Sequence, residues 1–279
     1  MTRTNTDPVR LHVDDTGGNG RPVVLIHGWP LSGAAWENQV PALADAGFRV
    51  ITYDRRGFGR SEKNGTRYDY NVLADDVAEI INERDLEDVT LVGFSMGGGE
   101  VARYVGRHRE ERLRSVVFAA AVPPYLLKTA DNPEGPLSHE EAEATADALR
   151  KDRDTFFDTF TTTFFSTREG LQVAEQERLK AVELCRQSGE EAALACQQAF
   201  STTDFRDDLK RVTVPTLVLH GDDDLIVPLA GSGARTHKAI EHSELAVVAG
   251  APHGLNVSHA EQFNAALLAF LSKHPVAGR

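Results

Sequence analysis

The order of apolar runs in the chain predicts an α/β fold: a mostly parallel central sheet flanked by helices, with a helical cap insertion after one of the strands. Three observations carry this. Short runs of apolar and β-branched residues without alternation, such as V-V-L-I at 23–26 and V-T-L-V-G-F at 89–94, read as strands buried on both faces. Helical patterns lie between most of these runs, and such alternation argues for a parallel sheet covered on both sides. From 123 to about 205 the strands stop, and the text becomes polar, helical and rich in Asp, Glu, Arg and Phe.

In chain order, a strand at 10–13 is followed by the strand 23–26, which ends on His27 and Gly28. A helix at 36–46, a strand at 49–53 and a helix at 70–83 come next. The strand 89–94 is stopped by glycine-rich text, and a helix over 96–107 follows, where Gly98 and Gly99 let it lie close to the sheet. A strand at 114–120 closes the first part of the core, 1–122. The insertion, 123–205, is expected over the carboxyl edge of the sheet, where α/β proteins bind ligands. Its phenylalanines, Phe156, Phe157, Phe160, Phe164, Phe165 and Phe200, are candidates for a pocket wall, although most are expected to glue the insertion to the core. The second part of the core, 206–279, carries strands at 216–220 and 244–248 and helices at 233–240 and 259–273.

Composition narrows the function classes. With 279 residues and 41% hydrophobic content the chain can bury a full core. Net charge is −12 and no basic stripe stands out, so phosphate backbones and anionic lipid surfaces are repelled on average. Nucleic acid and membrane partners are therefore not expected. The N-terminal text lacks the apolar core of a signal peptide and no run approaches the ~20 apolar residues of a membrane span, which makes the cytoplasm the default location. Cys185 and Cys196 have neither the spacing nor the histidine company of a zinc site and read as buried, reduced core residues. Monomer and homo-oligomer both stay open.

The corner at Ser95 holds the chemistry. G-F-S-M-G fits the G-x-S-x-G nucleophile elbow, a strand-to-helix turn so tight that Gly93 and Gly97 must be small, and it holds the Ser95 hydroxyl out at the top of the sheet. The same turn leaves the Met96 N–H at a helix N-terminus, free to donate to a developing oxyanion. A serine needs a base, and of ten histidines only His253, in G-A-P-H-G-L, follows the last strand in a loop at its carboxyl end. The third member is expected after the preceding strand, in H-G-D-D-D-L-I-V-P. Asp224 lies nearest the apolar Leu225, Ile226 and Val227 and is drawn into the site, whereas Asp222 and Asp223 read as solvated turn residues. A second oxyanion donor is expected at the Trp29 N–H in H-G-W-P, and Pro30 restricts the rotation of the Trp29 carbonyl.

These segments, with D-R-R-G-F-G-R-S at 54–61, make the chain resemble an α/β-hydrolase. More narrowly it resembles the cofactor-free bacterial haloperoxidases, which are perhydrolases, and their relatives the aryl esterases and γ-lactamases. The likeness runs through H-G-W-P-L-S-G, G-F-S-M-G-G-G-E-V-A-R-Y, T-D-F-R-D-D-L, V-P-T-L-V-L-H-G-D-D-D-L-I-V-P and A-P-H-G-L, nearly the whole chain. It implies a Ser95, Asp224 and His253 triad, Trp29 and Met96 as oxyanion donors, a substrate pocket at Pro30, Leu126, Phe200, Ile226, Val227 and Leu255, and no metal or other cofactor. The implied substrates are a small-molecule ester, or a short carboxylic acid plus hydrogen peroxide. A γ-lactamase or lactonase with the same triad, or a non-catalytic ligand-binding member of the fold, are the alternatives. Dehalogenases and epoxide hydrolases of this fold carry an aspartate at the elbow, where this chain has Ser95.

Overall fold

The computed structural model describes residues 7–275. Seven strands make one sheet: β1 His12–Asp15, β2 Pro22–Ile26, β3 Arg49–Asp54, β4 Val89–Phe94, β5 Leu113–Ala119, β8 Thr216–Gly221 and β9 Glu244–Val248, in the spatial order β1-β3-β2-β4-β5-β8-β9. Only β1 runs antiparallel, pairing with β3; the rest are parallel. The unbroken apolar runs have the expected cause. Every residue of β2 and β4 is buried, because helices cover both faces of a parallel sheet.

The helices are α1 Gln39–Asp45, α2 Tyr70–Glu83, α3 Met96–His108, α9 Gly233–Ala239, α10 Leu255–Ser258 and α11 Ala260–Lys273 around the sheet. Between β5 and β8 come α4 His139–Lys151, α5 Arg153–Phe164, α6 Glu175–Arg186, α7 Glu190–Thr202 and the short α8 Arg206–Leu209. Ser138 and Asp152 cap α4 and α5 by accepting from Glu141 N–H and Thr155 N–H, and Ser138 with Glu141 forms a complete capping box. No helix among the described residues is long and apolar enough to cross a membrane. Both cysteines are buried and free.

Three local expectations need correction. The first strand lies at His12–Asp15 rather than 10–13, because its partners are the residues of β3 from Asp54 back to Ile51 and that ladder sets its extent. The helix expected at 36–46 splits into a 3-10 turn, Gly33–Trp36, and α1. Pro41 accounts for the late start of α1: lacking an N–H, it is tolerated in a first helical turn but not further in. The insertion is also not free of strands. Ser166–Thr167 (β6) and Gly170–Leu171 (β7) form a two-residue hairpin, too short to leave a periodic signal.

Candidate active site

The turn from β4 into α3 puts Ser95 at φ 54°, ψ −118°, a region that costs a non-glycine residue on the order of 1–3 kcal/mol. Neighbouring hydrogen bonds hold it there. Ser95 N–H donates to Ala119 O at 2.9 Å, and Ser95 O accepts from Gly98 N–H at 3.0 Å and Val122 N–H at 3.1 Å. The flanking glycines are required by space: a Cβ on Gly97 would stand 2.5 Å from Ile26 O, and one on Gly93 2.7 Å from the Gly98 Cα.

Three loops at the carboxyl ends of strands bring Ser95, His253 and Asp224 together. His253 Nε2 lies 2.9 Å from Ser95 Oγ, and its Nδ1 lies 2.7 Å from Asp224 Oδ2. An ionised carboxylate accepts only, so Nδ1 carries the proton and Nε2 is left to accept from the Ser95 hydroxyl. All three side chains are buried, and the imidazole packs against the rings of Phe94 and Phe164, at 5.3 and 5.1 Å. Asp224 Oδ1 accepts from the N–H groups of Ile226 and Val227 at 2.9 and 2.8 Å, which fixes the carboxylate plane. Burial pushes the Asp224 carboxyl up, but His253 and His220 beside it hold it well below the usual carboxylate range.

That depression has a sign. A carboxyl held below its unfolded value, near about 3.9, lends stability that is fully present above that value and lost as pH falls through the folded one. Asp224→Asn is therefore expected to lower the urea midpoint at pH 7, with the gap to wild type closing only below about pH 4. A gap that stays constant down to pH 3 would contradict this.

Two backbone N–H groups flank the serine. Met96 opens α3, so its N–H has no intrahelical partner, and Trp29 N–H donates to no acceptor among the described residues. The Trp29 loop lies against the elbow, since a Cβ on Gly28 would be 3.2 Å from Ser95 Cβ. Both groups are thus uncommitted donors among the described residues, on two segments that meet at Ser95.

A cavity of about 290 Å³ opens over Ser95 and His253. Trp29, Phe156, Phe160 and Phe200 form an aromatic wall, the Trp29 ring meeting the other three edge-on at 5.3–6.0 Å. Among the described residues, no Asp, Glu, Lys or Arg lines it.

Residues 21–260 match the model of the α/β-hydrolase fold family. The chain belongs to the α/β-hydrolase family. It is 42% identical to a non-heme chloroperoxidase from Kitasatospora aureofaciens over 97% of this chain and 98% of that one. It is 37% identical to a bifunctional esterase/perhydrolase from Acinetobacter calcoaceticus, over 96% and 98%. Among solved structures, a bromoperoxidase from Bacillus anthracis superposes with a TM-score of 0.93 at 48% identity, covering 96% of this chain and 97% of that one.

In this α/β-hydrolase the expected pocket residues divide. Leu126, Phe200, Ile226 and Val227 line the cavity. Pro30 and Leu255 do not: both are buried, Leu255 fully, since it opens α10 as part of the hydrophobic core. Of the six phenylalanines, Phe156, Phe160 and Phe200 face the cavity, while Phe157, Phe164 and Phe165 are core. Asp222 is exposed, as expected of a turn residue, and accepts from Gly250 N–H at 2.6 Å. Asp223 is not a solvated turn residue. It is mostly buried and takes a hydrogen bond from Arg168 N–H at 2.8 Å, tying the β6–β7 hairpin to the loop of Asp224.

One residue beside the site escaped sequence reasoning. His220, at the end of β8, is fully buried, with Nε2 2.8 Å from Val227 O and 3.2 Å from Asp224 Oδ2. Both neighbours accept, so the proton is on Nε2 and goes to the Val227 carbonyl, with the Asp224 carboxylate beside that bond. Its sequence position marks it only as a polar residue near the end of a buried strand, four positions before Asp224; the contacts that give it a role come from the fold.

Proposed function

We propose that the chain is a serine-dependent acyl-transfer hydrolase, a carboxylesterase or aryl esterase with perhydrolase activity, working through an acyl-Ser95 intermediate. The observation that carries this reading is the hydrogen-bonded line from Asp224 through His253 to Ser95, ending beside two uncommitted backbone N–H groups in an apolar cavity. Ser95 Oγ attacks the acyl carbon while His253 Nε2 takes its proton, and Asp224 stabilises the imidazolium. The carbonyl oxygen becomes an oxyanion facing the N–H groups of Trp29 and Met96. Collapse expels the alcohol, which leaves with the proton from His253. Water or hydrogen peroxide then attacks the acyl ester, passing its own proton to His253 and on to the departing Ser95 oxygen. Water gives the carboxylic acid; peroxide gives the peracid, which can oxidise halide in solution. The likeness to a non-heme chloroperoxidase and to a bifunctional esterase/perhydrolase supports this chemistry. The expected place of action is the cytoplasm, on small neutral esters or short acids.

The test is a p-nitrophenyl acetate assay run beside peracetic acid formation from acetate and hydrogen peroxide on the same preparation. A burst of nitrophenol followed by turnover is expected. Neither burst nor turnover would leave a binding protein.

We take 123–205 as the cap that sets selectivity, with 1–122 and 206–279 as the core. Phe200 and Leu126 line the cavity. Replacing either with Ala enlarges the space for an acyl chain, and each added methylene buried there is worth about 0.8 kcal/mol. Phe200→Ala should raise the ratio of kcat/KM for hexanoate over acetate esters by about tenfold, with acetate turnover little changed. Equal losses on all chain lengths would make Phe200 structural.

A further inference from the structure

Behind the Trp29 loop lies a buried polar chain that the reaction as described does not use. Arg55 follows β3, Glu100 sits one turn into α3 and His27 follows β2; all three are fully buried. Arg55 Nε donates to Glu100 Oε1 at 2.6 Å, and Tyr53 O–H donates to Glu100 Oε2 at 2.6 Å. Arg55 Nη2 donates to His27 O at 2.6 Å, and Arg55 N–H donates to His27 Nε2 at 2.9 Å.

This last bond decides the tautomer. A backbone N–H can only donate, so Nε2 bears the lone pair and the ring proton is on Nδ1. Nδ1 lies 2.8 Å from Gly28 O and donates to it. Arg55 Nη1, 3.2 Å from Nδ1, has only protons to offer; burial first and this guanidinium second keep the His27 pKa well below the ordinary value, so the ring stays neutral. Gly28 O also accepts from Leu31 N–H at 3.1 Å.

The Gly28–Trp29 peptide is not among the cis bonds, and in a trans peptide the C=O and the next N–H point in opposite directions. With Gly28 O drawn back by His27 and Leu31, Trp29 N–H must point the other way, out of the loop, where it has no partner among the described residues. Gly28 itself must lack a side chain, because Phe94 and Ser95 occupy the space where a Cβ would go. The far end of the chain, Glu100, is on the helix that begins at Met96. The two uncommitted N–H groups are therefore joined through the core by one continuous set of hydrogen bonds.

We infer that His27, Arg55 and Glu100 are positioning residues for the oxyanion site: His27 Nδ1–H sets the direction of the Trp29 N–H, and the Arg55–Glu100 pair locks that loop to the helix bearing Ser95 and Met96. The inference rests on the acyl-transfer reading above. It predicts a loss confined to states that carry an oxyanion, which a merely stabilising role would not produce.

The experiment uses a trifluoromethyl ketone, to which Ser95 Oγ adds while its proton passes to His253, giving a hemiketal alkoxide in the oxyanion site. The unreactive comparison is a secondary alcohol of the same carbon skeleton. His27→Leu fills the space but cannot donate to Gly28 O. Its ketone Ki should rise about thirty-fold, below the ~10²–10³ of deleting a donor, with alcohol binding and KM changed less than about threefold. His27→Asn keeps an N–H near the Nδ1 position and should recover most of the ketone affinity. A ketone Ki that moves no more than the alcohol Ki, or equal losses in Leu and Asn, would overturn the inference. Should His27→Leu not fold, Glu100→Gln removes the charge at the other end; a rise in ketone Ki of about fivefold or more at unchanged alcohol binding supports the brace, and an unchanged ketone Ki overturns it. A wild-type protein that the ketone does not inhibit would instead sink the acyl-transfer reading.

Discussion

Ser95→Ala is expected to lower kcat/KM for p-nitrophenyl acetate by about 10⁵-fold, roughly 7 kcal/mol of transition-state stabilisation. The size follows from the triad acting as a unit: without the oxygen, His253 has no proton to take and Asp224 no imidazolium to stabilise. A fluorophosphonate probe should label wild-type protein at Ser95 alone, read by peptide mass. Two other serines also touch a histidine ring, Ser243 with His237 and Ser258 with His259, at 2.8 and 3.0 Å. Their hydroxyls are already given to the carbonyls of Ile240 and Gly254, and neither lines the cavity. Activity in Ser95→Ala within tenfold of wild type would remove the covalent mechanism altogether.

His253→Ala should lose nearly as much, since the hydroxyl then has no base within reach. Asp224→Asn should lose less, about 10⁴-fold, because its amide can present an N–H to Nδ1 and stabilise the wrong tautomer while leaving the loop in place. Asp222→Asn is the control. Asp222 is exposed, its one bond is to Gly250 N–H, and an amide oxygen can still accept it, so kcat/KM should stay within about twofold. If Asp222→Asn fell and Asp224→Asn did not, the acid would have been misassigned despite its 2.7 Å contact with His253.

How legible each part was depends on whether its cause is local. The strands β2, β4 and β8 are written plainly because burial on both faces leaves few polar positions to confuse the pattern. Ser95 stands out because the corner demands glycines in its immediate neighbourhood, and His253 because chain order in such a fold puts the base after the last strand. The roles of His27 and His220 were not legible. Each depends on contacts with residues in other elements, Arg55 twenty-eight positions away for one and the Val227 carbonyl beyond a turn for the other. Pro30 and Leu255 show a different limit: nearness to the site in sequence says nothing about which way a side chain turns, and both are buried outside the cavity lining, Leu255 in the core. The β6–β7 hairpin leaves too few residues to carry any period.

The attachment of the insertion bears on how this scaffold can be rebuilt for other substrates. Phe164 O accepts from Gly254 N–H at 2.8 Å while its ring supports the imidazole of His253, and Arg168 N–H grips Asp223, next to the acid. The stretch from α5 through the hairpin is thus tied to the loops of His253 and Asp224, although in chain order it lies inside the insertion between β5 and β8. A chimaera that imports a foreign lid should be spliced after Leu171, exchanging α6 and α7, so that the pocket wall changes while the rest beneath the imidazole stays. Splicing before α5 would trade substrate range and catalytic alignment at one stroke, and libraries cut there should return mostly folded, inactive proteins.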